Sequence, residues 1–159
     1  MRILGIDPAL VCLGWGVIHS DSPRIKYINS GLVKTNTKTP LHLRLADIAD
    51  NIDKIIELYK PDLIAMEETF INVNAGSSLK LGYVRGALMS VIGRSKIPFY
   101  EFAPNKIKKT IVGVGHAEKE QVKQMVQTII SGSDKNMSFD ESDALATAYT
   151  CLVMHKAQQ

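Results

Sequence analysis

The chain has 159 residues, with 19 Lys and Arg against 16 Asp and Glu, for a formal net charge of +3. That length suits one domain, expected here over residues 1–159, and a composition 45% hydrophobic and 22% charged suits a globule with a proper core. A disordered tail, a collagen-like chain and a disulfide-stapled miniprotein are excluded. No apolar run approaches the roughly 18–20 residues of a membrane span. The N-terminus meets a charge at Asp7 before any apolar core of a signal peptide develops, so a cytoplasmic protein without membrane attachment is expected. Two cysteines, Cys12 and Cys151, have no metal-binding spacing and read as reduced thiols.

In chain order, Arg2 to Asp7 reads as a buried strand that ends in a carboxylate. Gly14 to His19 and Ile25 to Val33 carry β-branched and aromatic residues around the turn signal Asp21-Ser22-Pro23, so an antiparallel meander is expected. Thr39-Pro40 reads as a helix start, with Thr39 as N-cap and Pro40 at the first helical position. Leu45, Ile48, Ala49, Ile52, Ile55, Ile56 and Tyr59 then recur at helical spacing until Pro61. Leu63 to Glu67 is a short apolar strand, again ending in carboxylates, and Ser77 to Arg94 reads as a second helix. A strand over Pro98 to Phe102 precedes three helical stretches, Pro104 to Ile111, Glu118 to Ile130 and Asp140 to His155. The βββαβαβ order followed by helices predicts a mixed five-strand sheet covered by helices on both faces.

The chemistry concentrates in carboxylates. Asp7 and Glu67 end two strands that should pair in parallel, which brings them to one sheet edge, where ligand sites of open α/β sheets favour to lie. Ser138 and Glu141 form a capping box that fixes where the last helix begins. Asp140 and Asp143 share one face of that helix, and the apolar run after them points Asp143 inward. Converging carboxylates repel unless a hard divalent cation, Mg²⁺ or Mn²⁺, joins them. Two such ions about 4 Å apart suit phosphodiester cleavage. Asp140 also suits a plain capping role beside the helix dipole. Alternation turns Glu68 to the opposite face from Glu67.

Charge is concentrated too. Lys106, Lys108, Lys109, Lys119 and Lys123 stand against Glu118 and Glu120, which accounts for the whole net +3. Such local excess is the footprint of an anionic partner or simply a solvated helix face. No phosphate loop is present, Gly113-Val114-Gly115 is too short for a dinucleotide site, and the four histidines have no ligand spacing. Trp15 reads as core rather than as a stacking platform.

Leu4-Gly5-Ile6-Asp7-Pro8, Met66-Glu67-Glu68-Thr69-Phe70, Leu79-Lys80-Leu81-Gly82 with Arg85-Gly86-Ala87, Glu118-Lys119-Glu120-Gln121-Val122 and Asp140 to Ala146 together resemble the RuvC Holliday junction resolvases. The match runs in order over nearly the whole chain. It implies an RNase H-like α/β fold with a mixed five-stranded sheet of order 3-2-1-4-5, strand 2 antiparallel. It implies a homodimer, through the helix containing Gly82, Arg85 and Gly86, that nicks four-way DNA junctions symmetrically, leaving 5′-phosphate ends, in recombination and repair. The family's metal-binding catalytic acids fall on Asp7, Glu67, Asp140 and Asp143, with Mg²⁺ as cofactor, two ions per site, and Mn²⁺ as substitute. Its DNA-contacting basic residues fall on Lys108 and Lys119, and its junction-wedging aromatic on Phe70. Branch-migration proteins are expected partners on the resemblance alone.

Two positions depart from the pattern. Ala9 replaces a glycine and would be strained if that turn needs a positive φ. His116 stands where a fixed cation is usual. A catalytically dead junction-binding scaffold and an RNase H-like nuclease acting on RNA remain alternatives. An actin-like ATPase would need a second domain that 159 residues cannot supply.

Overall fold

The computed structural model describes residues 1–21, 23–68 and 75–158. Its elements are β1 (Arg2–Asp7), β2 (Cys12–Asp21), β3 (Arg24–Lys34), α1 (Leu41–Tyr59), β4 (Leu63–Glu67), α2 (Ala75–Ser95), β5 (Phe99–Phe102), α3 (Pro104–Val112), α4 (Lys119–Ile129) and α5 (Phe139–Lys156). The strands form one sheet in the order β3-β2-β1-β4-β5. β2 runs antiparallel to both β1 and β3, while β1, β4 and β5 run parallel. This is the expected topology, and the element boundaries differ from the sequence reading by a residue or two at most ends.

Two apolar clusters fill the two sides of the sheet. On one side α1 and α2 cover Leu4, Ile6, Leu13, Val17 and Ile64. On the other, α3, α4 and α5 cover Ile3, Ile18, Leu63 and Ala65. Trp15 is partly buried on the first side, tilted against Tyr59 at 5.6 Å, which agrees with its reading as core.

The start of α1 corrects the sequence reading. Pro40 is the N-cap, extended at ψ 143°, and no side chain caps the helix. The Pro40 carbonyl accepts from Leu43 and Arg44, both at 3.1 Å, so the proline stands one position before the helix rather than inside it. Gly113, at φ 89°, terminates α3 in the left-handed conformation, which accounts for that glycine without a ligand. Ala9 does not have a left-handed φ: among the described residues the non-glycine positions with positive φ are Lys60 and Lys96. The strain expected at Ala9 is therefore absent, because its turn does not require that region.

α5 lies directly on β1 and β2. A Cβ at Gly5 would collide with the Ala144 carbonyl, one at Gly14 with the Asp140 carbonyl, and one at Gly16 with the Leu145 side chain at 2.6 Å. Gly5 and Gly16 are partners across the β1–β2 ladder, and Gly14 is the partner of Asp7. The three glycines thus make a flat track that the helix occupies. Gly14→Ala is expected to cost about 1–3 kcal/mol, because helix backbone and not a flexible side chain must move. Urea unfolding measures it, and wild-type stability in that variant would contradict the track.

Candidate active site

β1 and β4 pair with Ile6 opposite Met66, so Asp7 and Glu67 leave the sheet side by side at its C-terminal edge. Both lie on the α5 side, two residues beyond Gly5 and Ala65. Ser138 begins α5 through a complete capping box with Glu141, which sets the helix phase that turns Asp143 toward the same edge. α3 and α4 close the far wall. The result is a cavity of about 220 Å³ lined by Asp7, Glu67, Asp143, Lys108 and Lys119, with Pro104, Ile107 and Val122 as its apolar wall.

The acids are strained electrostatically. Burial, then Glu67, Asp143 and Asp140, raise the Asp7 carboxyl to about 8, with Lys119 opposing. Burial and Asp143 raise Glu67 to about 7 against the pull of Lys108 and Lys119. Asp143 is raised mainly by burial, although the Lys119 ammonium stands 3.9 Å from its carboxylate. Among the described residues no hydrogen-bond donor reaches Asp7 or Glu67, and no group of three or more acidic, histidine or cysteine side chains has the arrangement to hold an ion unaided. A Mg²⁺ ion fits such a setting, since it usually takes one or two carboxylates and keeps waters or phosphate oxygens for the rest. The donor set is all hard oxygen.

Of the seven residues singled out in the sequence, five line this cavity. Asp140 does not line it. It stands at its margin, near enough to raise Asp7, Asp143 and the Cys12 thiol. Phe70 lies outside the described residues. Glu68 is half-buried beside the cavity without lining it, and its N–H donates to the Phe102 carbonyl at 2.9 Å. His116 is exposed. Both cysteines are free thiols, Cys151 buried and pushed up to about 12 by that burial.

Sequence reasoning missed a tether. The Ser30 hydroxyl on β3 donates to Glu141 at 2.8 Å, and Tyr27 bonds Ser30 at 3.0 Å. Glu141 also accepts from the Ser138 N–H and hydroxyl, both at 2.9 Å. One carboxylate therefore caps α5 and fastens its first turn to the sheet edge. The capping box was visible in sequence; its partner 111 residues away was not.

The comparisons with known proteins agree with this geometry. The family model described as crossover junction endodeoxyribonuclease RuvC matches residues 3–151. The chain belongs to the RuvC family. A RuvC relative from Rickettsia felis, named crossover junction endodeoxyribonuclease, is 51% identical over 97% of this chain and 99% of its own length. The RuvC of T. thermophilus in complex with Holliday junction substrate superposes with a TM-score of 0.92 at 28% identity, covering 99% of this chain and 96% of that one. The yeast mitochondrial Holliday junction resolvase Ydc2 shares the fold, with a TM-score of 0.69 at 14% identity over 98% of this chain and 83% of its own. The sheet is thus the RNase H-like sheet of RuvC proteins.

The raised acids give a pH signature. Asp7 and Glu67 titrate near 3.8 and 4.5 without perturbation but at about 8 and 7 in the folded chain. The folded state then holds more protons than the unfolded state, so stability is highest below pH 4 on this account and falls as pH rises through 8. Asp7→Asn should therefore melt higher than wild type at pH 8 without divalent ions and match it at pH 4. Calorimetry at the two pH values checks this, and equal melting at pH 8 would count against the buried charge.

Glu141→Ala should lose about 1–3 kcal/mol of stability, since it leaves Ser30 and the helix cap without their acceptor. Glu141→Gln keeps an acceptor for Ser30 and should recover most of the loss in the same denaturation assay.

Proposed function

We propose that this RuvC-family chain is a divalent-metal-dependent endonuclease that resolves four-way DNA junctions by paired symmetric nicks. The supporting observation is the cavity where two strand ends and one helix bring three half-buried carboxylates against two lysines. Asp7, Glu67 and Asp143 hold the metal, and Asp140 supports it from the margin. Two Mg²⁺ ions, with Mn²⁺ as substitute, would when bound polarise the scissile phosphodiester and make water acidic enough to attack it. Lys108 and Lys119 position the phosphate and offset charge that develops on it. Burial and mutual repulsion raise Asp7 and Glu67, so both take up protons more readily than free carboxylates and repel phosphate less before the metal is in place. Phe70 is assigned to the junction centre on the family pattern alone.

The cleaved ends carry 5′-phosphate, and the reaction belongs to homologous recombination and repair in the cytoplasm. No helix among the described residues is long and apolar enough to cross a membrane. One RNase H-like nuclease domain spans 1–159. The enzyme acts as a homodimer through α2. Gly82 and Gly86 on this helix have open space where a Cβ would stand, so they do not serve packing onto the chain's own sheet. Leu79 and Tyr83 beside them are exposed. Arg85 turns away from that face to form a two-pronged ion pair with Glu101 at 2.7 Å, so its role lies within the protomer. Branch-migration proteins are proposed partners on family grounds.

Asp7→Asn should abolish junction cleavage in Mg²⁺ yet retain junction binding, as nick mapping and gel shift would measure. Intact cleavage by that variant would sink the metal assignment. A protein that binds junctions without nicking them would instead be a scaffold.

A further inference from the structure

Beside the acidic cavity lies a second and larger one, of about 540 Å³. Its wall begins at Pro8 and Ala9, the residues that follow Asp7, and continues through Leu10 and Val11 to Leu81 on α2. Its floor and rim carry Arg44 and Lys80, and among the described residues no Asp or Glu lines it. The two cavities therefore share the C-terminal edge of β1 and differ in sign.

Arg44 is the unusual group. The buried stripe of α1 runs Arg44, Ile48, Ile52, Ile56, so a guanidinium occupies the place where the helix period calls for an aliphatic side chain. Arg44 is only 9% exposed. Its Nε donates to the Thr35 hydroxyl at 2.9 Å and one terminal nitrogen to the Leu10 carbonyl at 3.2 Å. Both acceptors are neutral, and among the described residues no carboxylate pairs with Arg44. Among the described residues no hydrogen-bond partner reaches its remaining nitrogen, Nη1. A nearly buried cation without a counter-ion is costly unless something else supplies the charge. A planar guanidinium with free N–H groups matches a phosphate.

We propose that this groove binds one nucleotide of the DNA strand next to the scissile phosphate, with its phosphate on Arg44 and Lys80 and its sugar and base against the apolar wall from Pro8 to Val11. The inference rests on the nuclease reading above and deepens it. Asp7 lines one cavity and Pro8 the next, so the two sites meet at the end of β1, one on each side of the sheet edge. The volume falls within the 300–1,000 Å³ typical of small-molecule sites, which suits a single nucleotide. Charge also tells against a second use as a metal site, since among the described residues no carboxylate lines it.

Arg44 has a double duty. Together with Thr35 it holds the Leu10 carbonyl, and the Thr35 N–H donates to the Val11 carbonyl at 3.0 Å. The same side chain thus shapes the turn after Asp7 and offers a charge to what lies on it. Arg44 substitutions would disturb both, whereas Lys80 is exposed and has no such structural task.

The test measures junction binding at several salt concentrations in an Asp7→Asn background, with Lys80→Ala and Arg44→Lys added separately. Losing one phosphate contact lowers the salt slope by about 0.9, so affinity between 50 and 200 mM salt should fall about 3.5-fold less steeply in Lys80→Ala. Arg44→Lys keeps the charge and should keep the slope even if the turn is disturbed. The second arm uses junctions with one neutral methylphosphonate linkage beside the nick position. One such linkage should weaken binding by the parent protein more than by Lys80→Ala, which keeps only the Arg44 contact to that phosphate. An unchanged slope in Lys80→Ala, or equal methylphosphonate penalties in both proteins, would overturn the groove. Failure of the nuclease reading is separate: it is a wild-type protein that leaves junctions intact in Mg²⁺.

Discussion

The contact between α5 and the sheet governs the rest of the structure. Gly5, Gly14 and Gly16 remove every side chain from the strip where the helix backbone descends onto β1 and β2. With ordinary residues there, the helix would stand off by the thickness of a side-chain layer. Asp140 and Asp143 would then be too far from Asp7 to influence it. The glycines carry a cost in strand entropy, offset here by the apolar burial of Ala144, Leu145 and Ala148 against the sheet.

Closeness has an electrostatic consequence. Three acids are drawn into one small cavity, and among the described residues no hydrogen-bond donor reaches the two on the strands. Two lysines from α3 and α4 offset only part of the repulsion, since all three acids stay raised. The site is thus a place where folding stability is given up in favour of affinity for cations. Next to it, around Arg44, the opposite imbalance holds, with a buried positive charge and, among the described residues, no acid. Two neighbouring unpaired charges of opposite sign are a poor arrangement for a protein alone and a good one for a protein that meets metal and polyanion together.

Much of this was legible in sequence because it depends on period and punctuation. The strand order followed from element order, and Asp7 and Glu67 were placed by the rule that parallel strands end together. The capping box at Ser138 fixed the phase of α5 and hence the direction of Asp143. The illegible parts are long-range. Nothing near Glu141 announces Ser30, and Asp140 was grouped with the cavity because helix spacing cannot tell a wall from a margin. The open space beside Gly82 and Gly86 could not be read from their spacing. Arg44 did leave a signal, a cation at the head of an isoleucine stripe, but a stripe is usually scanned for what fits it. At Pro40, propensity placed the proline inside the helix, and the hydrogen bonds to its carbonyl placed it just before.

The in-register pairing of Ile6 with Met66 makes the separation of two acids a matter of counting. Side chains can be exchanged along β1 and β4 without moving Asp7 relative to Glu67, provided the number of residues is kept. A single deletion within β4 would do something else. It would turn Glu67 to the α2 side and bring Glu68 round to the cavity, because facing alternates with each residue. The doubled glutamate thus gives this strand a tolerance for frame errors that β1, with Pro8 after its lone aspartate, does not have. Divergence in this fold should accordingly run through substitution along β1 and through length as well as substitution at the end of β4.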